Sequence, residues 1–196
     1  MNWANRITVI RIMFVPLFIL MYQQYPAWMA AQFPLFDYIN RYGVYWAVFT
    51  FVIASATDKL DGYIARKYNQ VTNLGKLLDP LADKLLVSAA LIMLVQYHII
   101  PSWMAVLIIG REVFVSGIRL LAASKGIALA ADKHGKIKLV MQVVGITAVL
   151  MNNYPFSYMT SFPVDSVLML LAVLLTIYSG CKYTRNNWHR LNLQME

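Results

Sequence analysis

The sequence predicts an all-α, polytopic membrane protein with six transmembrane helices and both termini in the cytoplasm. Three observations predict it. The 196-residue chain is 60% hydrophobic and only 13% charged, far from ordinary soluble usage. Several of its apolar runs reach the ~18–20 residues needed to cross a bilayer. Once those runs are drawn as spans, all of the 17 Lys and Arg residues except Arg41 fall on one side, which the positive-inside rule assigns to the cytoplasm. Residues 1–196 read as a single membrane domain.

The first span covers about residues 7–24. Arg6 and Arg11 ahead of an apolar stretch imitate a secretory signal peptide, but the apolar run continues to Tyr22 without a small-residue cleavage site, so the segment is expected to be retained. The second span covers 44–63 and the third 77–97. A kink is expected near Pro80, which has no amide hydrogen to give to a helix. A few residues around Pro101 lead into the fourth span, 102–123. The fifth, 137–152, and the sixth, 164–182, are joined by the turn-forming stretch Asn152 to Pro163.

Arg6 and Arg11 then lie at the N-terminal end, and Lys59, Arg66, Lys67, Lys76 and Lys84 lie around the second connection. Arg111, Arg119, Lys125, Lys133, Lys136 and Lys138 surround the fourth, and Lys182, Arg185 and Arg190 form the tail. A bilayer surface accounts for the net charge of +8, so no nucleic-acid partner is expected. The single Cys181 allows no intrachain disulfide and no metal-ligand spacing, and reads as a packing residue. His98, His134 and His189 are scattered, with no partners at ligand spacing.

Asp58, Asp61, Asp79 and Asp83 do not fit an apolar neighbourhood so easily, because buried carboxylates are costly without a partner. Asp58 and Asp61 are three residues apart and Asp79 and Asp83 four, so each pair shares one face of a helix. The end of span two and the start of span three emerge on the same side, where a hairpin can bring the four acids together. Their mutual repulsion calls for a divalent cation. An all-oxygen donor set without Cys or His suits Mg²⁺ or Mn²⁺ rather than zinc. Gly62 and Gly75 cost helix stability and suggest close approach by a backbone or ligand. Arg66 offers a planar fork to a phosphate. Together these residues point to phosphoryl chemistry on a lipid.

The spacing D-x₂-D-G-x₂-A-R-x₈-G-x₃-D-x₃-D, carried by Asp58, Asp61, Gly62, Ala65, Arg66, Gly75, Asp79 and Asp83, resembles the signature of the CDP-alcohol phosphotransferase family without a mismatch. The likeness extends to the six-span layout. It implies a transferase that moves a phosphatidyl or similar group from a CDP-linked donor to an alcohol and releases CMP. By the same resemblance Asp58, Asp61 and Asp79 would hold one Mg²⁺ (or Mn²⁺), and Asp58, Asp79 and Asp83 a second. Asp83 would also be the general base for the acceptor hydroxyl. Gly62, Arg66 and Thr72 would contact the CDP moiety, joined by Asn5 and Thr8 of the first span, whose other role would be to cap that helix. The resemblance further implies a homodimer in a bacterial cell membrane, with its site on the cytoplasmic side.

The acceptor must be chosen elsewhere. Arg111 and Arg119 are eight residues apart in otherwise apolar sequence, so both can face one side of span four. An arginine within a span is a functional candidate by default. Arg111 and Glu112 are adjacent and are not expected to pair locally, which leaves an acid on another span as the ordinary partner for Arg111. The sharper expectation is an anion pocket of Arg111 and Arg119, completed by Lys136 or Lys138, that holds the acceptor's phosphate. The stretches N-R-I-T-V-I-R-I-M-F-V-P and L-G-K-L-L-D-P-L-A-D-K-L-L-V are similar to those of family members whose donor is CDP-diacylglycerol and whose acceptor is glycerol 3-phosphate. Trp3-Ala4 departs from them, where relatives often place a proline before the asparagine. Inositol-phosphate acceptors would need a similar pocket and stay open, whereas serine has no phosphate for it. Two other classes remain: a prenyltransferase, which would release pyrophosphate, and a divalent-cation transporter, which would place its acids mid-span.

Overall fold

The computed structural model describes residues 3–67, 73–124 and 133–192, apart from Pro155, Met159 and Ser161. Within these limits the side chains of residues 3–7, 58–80, 83, 133–136 and 188–192 are not described. The regular structure of the described residues is all helical, with no strand. Six long helices, α1 (Trp3–Tyr22), α3 (Pro34–Lys67), α4 (Asn73–Gln96), α5 (Ser102–Ser124), α6 (Lys133–Leu150) and α7 (Val164–Asn192), overlap in order the six stretches expected to be helical. A short α2 (Ala27–Gln32) and a 3₁₀ turn (Phe156–Tyr158) complete the order.

Three helices differ in extent from the sequence reading. Helix α3 starts about ten residues before the expected 44, at Pro34. Proline is pre-organised for the first helical position, and Asp37 places a negative charge by the positive end of the helix dipole. Helix α4 begins at Asn73 and continues through Pro80. Helix α7 runs ten residues past 182, because nothing in its polar C-terminal third breaks a helix.

Among the described residues, α7 contains the helix segment long and apolar enough by itself to cross a membrane, Val164–Asn187. The apolar segments Thr8–Tyr22, Lys84–Gln96 and Ile137–Leu150 are shorter, and α5 is interrupted by Arg111, Glu112 and Arg119.

The core forms where α1, α3, α4, α6 and α7 meet, from residues such as Phe18, Phe51, Leu86, Leu91, Leu94, Ile146 and Met169. On α3 the buried positions 43, 47, 51 and 54 recur at helical spacing and turn one stripe toward α1. Three of these positions are small: Gly43, Ala47 and Ala54. A Cβ at Gly43 would overlap the Met21 carbonyl oxygen, so α1 and α3 approach as closely as their backbones allow. Gly145 plays the same part between α6 and α7, where a Cβ would lie 3.2 Å from the Leu168 carbonyl oxygen. Small residues at helix contacts are the usual route to close packing where lipid replaces water.

The helix ends are closed by specific backbone devices. After α4 the His98 amide donates to the Val95 carbonyl at 3.0 Å and the Ile99 amide to that of Leu94 at 3.0 Å. This Schellman arrangement places His98 at φ 56°, which gives that histidine a structural task. Asn152 ends α6 in the same manner at φ 50°. The next residue, Asn153, ties down the link to α7 by donating to the Phe162 carbonyl and accepting from the Asp165 amide. Asn40 similarly bonds both backbone groups of Tyr25 and fixes the link from α1 to α2.

Candidate active site

Asp58 and Asp61 lie on α3, and Asp79 and Asp83 on the following helix α4. Because both stretches are helical, each pair does share a face at the spacing the sequence set. Only residues 68–72 separate the two helices, so the chain's reach holds their ends within roughly 20 Å. The four carboxylates, Gly62, Arg66, Gly75, Asn5 and Lys136 have side chains outside those described, and Thr72 lies outside the described residues. The donor set is four carboxylates on two adjoining helices, and this fits a hard divalent cation.

The described side chains include the cationic residues Lys84, Arg111, Arg119 and Lys138 on α4, α5 and α6. Lys84, the residue after Asp83, donates from its Nζ to the Ser116 hydroxyl of α5. Ser116 in turn donates to the Glu112 carbonyl, one turn earlier, at 2.6 Å. The helix carrying Asp79 and Asp83 is thereby pinned to the helix carrying Arg111 and Arg119. Lys138 of α6 is buried and its ammonium pairs with Glu112 Oε1. Arg111 Nη1 lies 3.6 Å from the same oxygen.

This last contact corrects the expectation that Arg111 and Glu112 do not pair locally. Their Cβ atoms point about 100° apart around the helix, but the long Arg111 side chain reaches the oxygen that also takes the Lys138 ammonium. Buried charges need such partners, because the interior offers no water.

Arg111 and Arg119 face the same neighbour, as their spacing suggested, and that neighbour is α7. Arg111 Nη2 donates to Ser179 Oγ at 2.9 Å. Arg119 Nε donates to the Tyr183 hydroxyl at 3.2 Å, with its guanidinium carbon 5.1 Å from the Tyr183 ring centroid. The stem of Arg111 lies over Gly180, and its Nε is buried with no acceptor among the described residues. An unpaired buried donor is rare enough to suggest an absent acceptor. Beside it, a cleft of about 810 Å³ runs between α5 and α7. The cleft is apolar along Val106, Leu107, Phe114 and Ile177 and polar at Arg111, Thr184 and Arg185.

On α1, Thr8 and Arg11 are both buried, one turn before the apolar stripe that continues through Phe18 and Tyr22. Thr8, expected to line a nucleotide pocket, is buried inside the bundle. Arg11, counted in the sequence only as a basic flank, is buried there too. The signal was its spacing of three from Thr8. Ser116, Ser179 and Tyr183 carried no signal, because serine and tyrosine in a span are unremarkable until their partners are known.

The chain matches the model of a family described as CDP-alcohol phosphatidyltransferase over residues 1–178. It is 44% identical over 97% of both chains to a Bacillus subtilis protein named CDP-diacylglycerol–glycerol-3-phosphate 3-phosphatidyltransferase. A Rickettsia typhi protein of the same name is 34% identical over 93% of this chain and 94% of its own. One from Pseudomonas fluorescens is 35% identical over 97% of this chain and 92% of its own.

Proposed function

Because the chain belongs to the CDP-alcohol phosphatidyltransferase family, we infer that it transfers the phosphatidyl group of CDP-diacylglycerol to glycerol 3-phosphate. The products are phosphatidylglycerophosphate and CMP, and the enzyme is a transferase of phospholipid biosynthesis. Beyond the relatives' names, one observation supports this reading most. The Lys84–Ser116 contact joins the acid-bearing helix α4 to the arginine-bearing helix α5 at the residue next to Asp83. This contact supports reading an acid cluster suited to the donor's diphosphate and a cation cluster suited to a phosphorylated acceptor as one site.

In this reading Asp83 takes the proton of the glycerol 1-hydroxyl, whose oxygen forms a bond to the phosphatidyl phosphorus as the bond from that phosphorus to the CMP oxygen breaks. A base must reach that hydroxyl directly or through one water. Arg111 and Arg119 hold the acceptor's phosphate, with Lys136 completing the pocket, since Lys138 is paired with Glu112. Gly62, Arg66 and Thr72, with Asn5 and Thr8 of α1, hold the CDP moiety. Two Mg²⁺ (or Mn²⁺) ions held by Asp58, Asp61, Asp79 and Asp83 would offset charge on the diphosphate.

All six long helices cross the bilayer in this reading, with both termini and the site on the cytoplasmic side of a bacterial cell membrane. The exterior supports it. Large apolar side chains face outward on every long helix, among them Met13, Phe49, Ile92, Val113, Val144 and Leu174, a surface that water would not tolerate. Trp28, Tyr38, Trp103 and Tyr158 are exposed at the end away from the aspartates, where an interfacial aromatic belt belongs. The protein is read as a homodimer.

The test is purified protein given CDP-diacylglycerol and a panel of glycerol 3-phosphate, inositol phosphate and serine, with CMP release followed. Turnover with glycerol 3-phosphate is expected. Turnover with inositol phosphate alone would overturn the acceptor, and pyrophosphate in place of CMP would overturn the reaction.

A further inference from the structure

Glu112 has no part in the reading above, yet among the described residues it is the one carboxylate inside the cationic cluster. It meets three helices besides its own, directly or through one residue. Its Oε1 takes the Lys138 ammonium of α6 and lies 3.6 Å from Arg111 Nη1. Its backbone carbonyl accepts the Ser116 hydroxyl, which receives Lys84 of α4. Arg111 is held from the other direction by Ser179 Oγ of α7, at 2.9 Å.

The consequence for Arg111 is geometric. A guanidinium is a planar fork. With Nη1 toward Glu112 and Nη2 on Ser179, its plane is fixed, one further N–H on each Nη stays available to a ligand, and Nε is buried without an acceptor among the described residues. Without Glu112 the Arg111 and Lys138 charges would repel across a poorly solvated gap. A flexible side chain would then move away and take the phosphate-binding fork with it.

We propose that Glu112 is a positioning residue for acceptor binding: it neutralises Lys138 and orients Arg111, so that the free edge of the guanidinium meets the phosphate of the incoming alcohol. This rests on the reading of Arg111 as an acceptor contact. It adds that the pocket's affinity depends on a negative charge that never touches the substrate.

The test measures Michaelis constants for both substrates by CMP release, using the full-length protein in lipid vesicles as Glu112→Gln, Glu112→Asp and Ser179→Ala. Glu112→Gln is expected to raise KM for glycerol 3-phosphate by about tenfold or more, with KM for CDP-diacylglycerol changed less than about twofold. Glu112→Asp, which keeps the charge, should recover part of the loss. Ser179→Ala should move the same constant in the same direction by less. A Glu112→Gln variant that raises both constants together, or lowers kcat with KM for glycerol 3-phosphate unchanged, overturns the proposal. If that variant does not fold, Ser179→Ala decides, and an unchanged glycerol 3-phosphate constant overturns it. A wild-type protein that uses another phosphorylated alcohol instead overturns the acceptor assignment alone, and the same variants read against that alcohol still decide the role of Glu112.

Discussion

Arg111 lies flat across Gly180. A Cβ placed on residue 180 would stand 3.0 Å from Arg111 Cγ and 3.5 Å from its Nε, so α7 presents a bare backbone where the arginine crosses it. The absent side chain lets the stem reach Ser179 and Glu112 together. A glycine in mid-helix costs about 0.5–1 kcal/mol relative to alanine, and here the vacant space is used to seat a charged side chain.

Gly180→Ala should therefore change activity more than stability. The intrinsic helix gain and the contact strain nearly cancel, so the unfolding midpoint should barely move. The guanidinium shifts by a few tenths of an ångström, and KM for glycerol 3-phosphate should rise about three- to tenfold. Substrate titrations of CMP release check this. An unchanged KM would mean that the contact is packing alone.

Gly43→Ala is expected to behave in the opposite manner. The added methyl meets the backbone oxygen of Met21, which cannot rotate away, so α1 and α3 must separate. Overpacking of this kind typically costs about 1–3 kcal/mol. Gly145→Ala, whose nearest neighbour would be the Leu168 oxygen at 3.2 Å, should cost less. Thermal unfolding in detergent should rank Gly43→Ala below Gly145→Ala, with both below wild type. The reverse order would count against the α1–α3 contact.

These two glycines mark the boundary of what the sequence could disclose. The six long helices were legible because long, mainly apolar stretches without helix breakers admit few other structures. The two aspartate pairs were legible because spacings of three and four survive any helix packing. The common orientation of Arg111 and Arg119 followed from helical periodicity. Their partners did not, because Ser179 and Tyr183 become neighbours of α5 only through the packing of α7, some sixty residues later. The Arg111–Glu112 contact was misjudged for a related reason. Adjacent residues diverge on an isolated helix, and the shared partner Lys138 comes from α6, 26 residues later. Helix α2 went unanticipated because six residues are too few to show a period.

Removal of divalent metal should abolish turnover. With EDTA present, CMP release should fall to background, and Mg²⁺ or Mn²⁺ in excess should restore it, since both are hard cations suited to a carboxylate donor set. The unfolding midpoint should drop modestly at the same time, because four neighbouring acids would lose their counter-charge. Full turnover in EDTA would remove the metal from the proposed site.

Asp83→Asn tests the base most directly. The amide is nearly isosteric with the carboxylate but cannot take a proton, and general-base catalysis is typically worth 10²- to 10⁴-fold. Turnover should fall by about that factor. Asp83 is also assigned to a metal, so binding must be measured separately. If the substitution removes only the base, the protein should still bind CDP-diacylglycerol in the presence of Mg²⁺, with an affinity within about tenfold of wild type. Lys84 follows Asp83 on α4 and is held by Ser116, which should keep the helix in place and the comparison fair. A folded, metal-binding Asp83→Asn protein with near-normal turnover would assign the proton to another acceptor. Asp61 would be the next carboxylate to test.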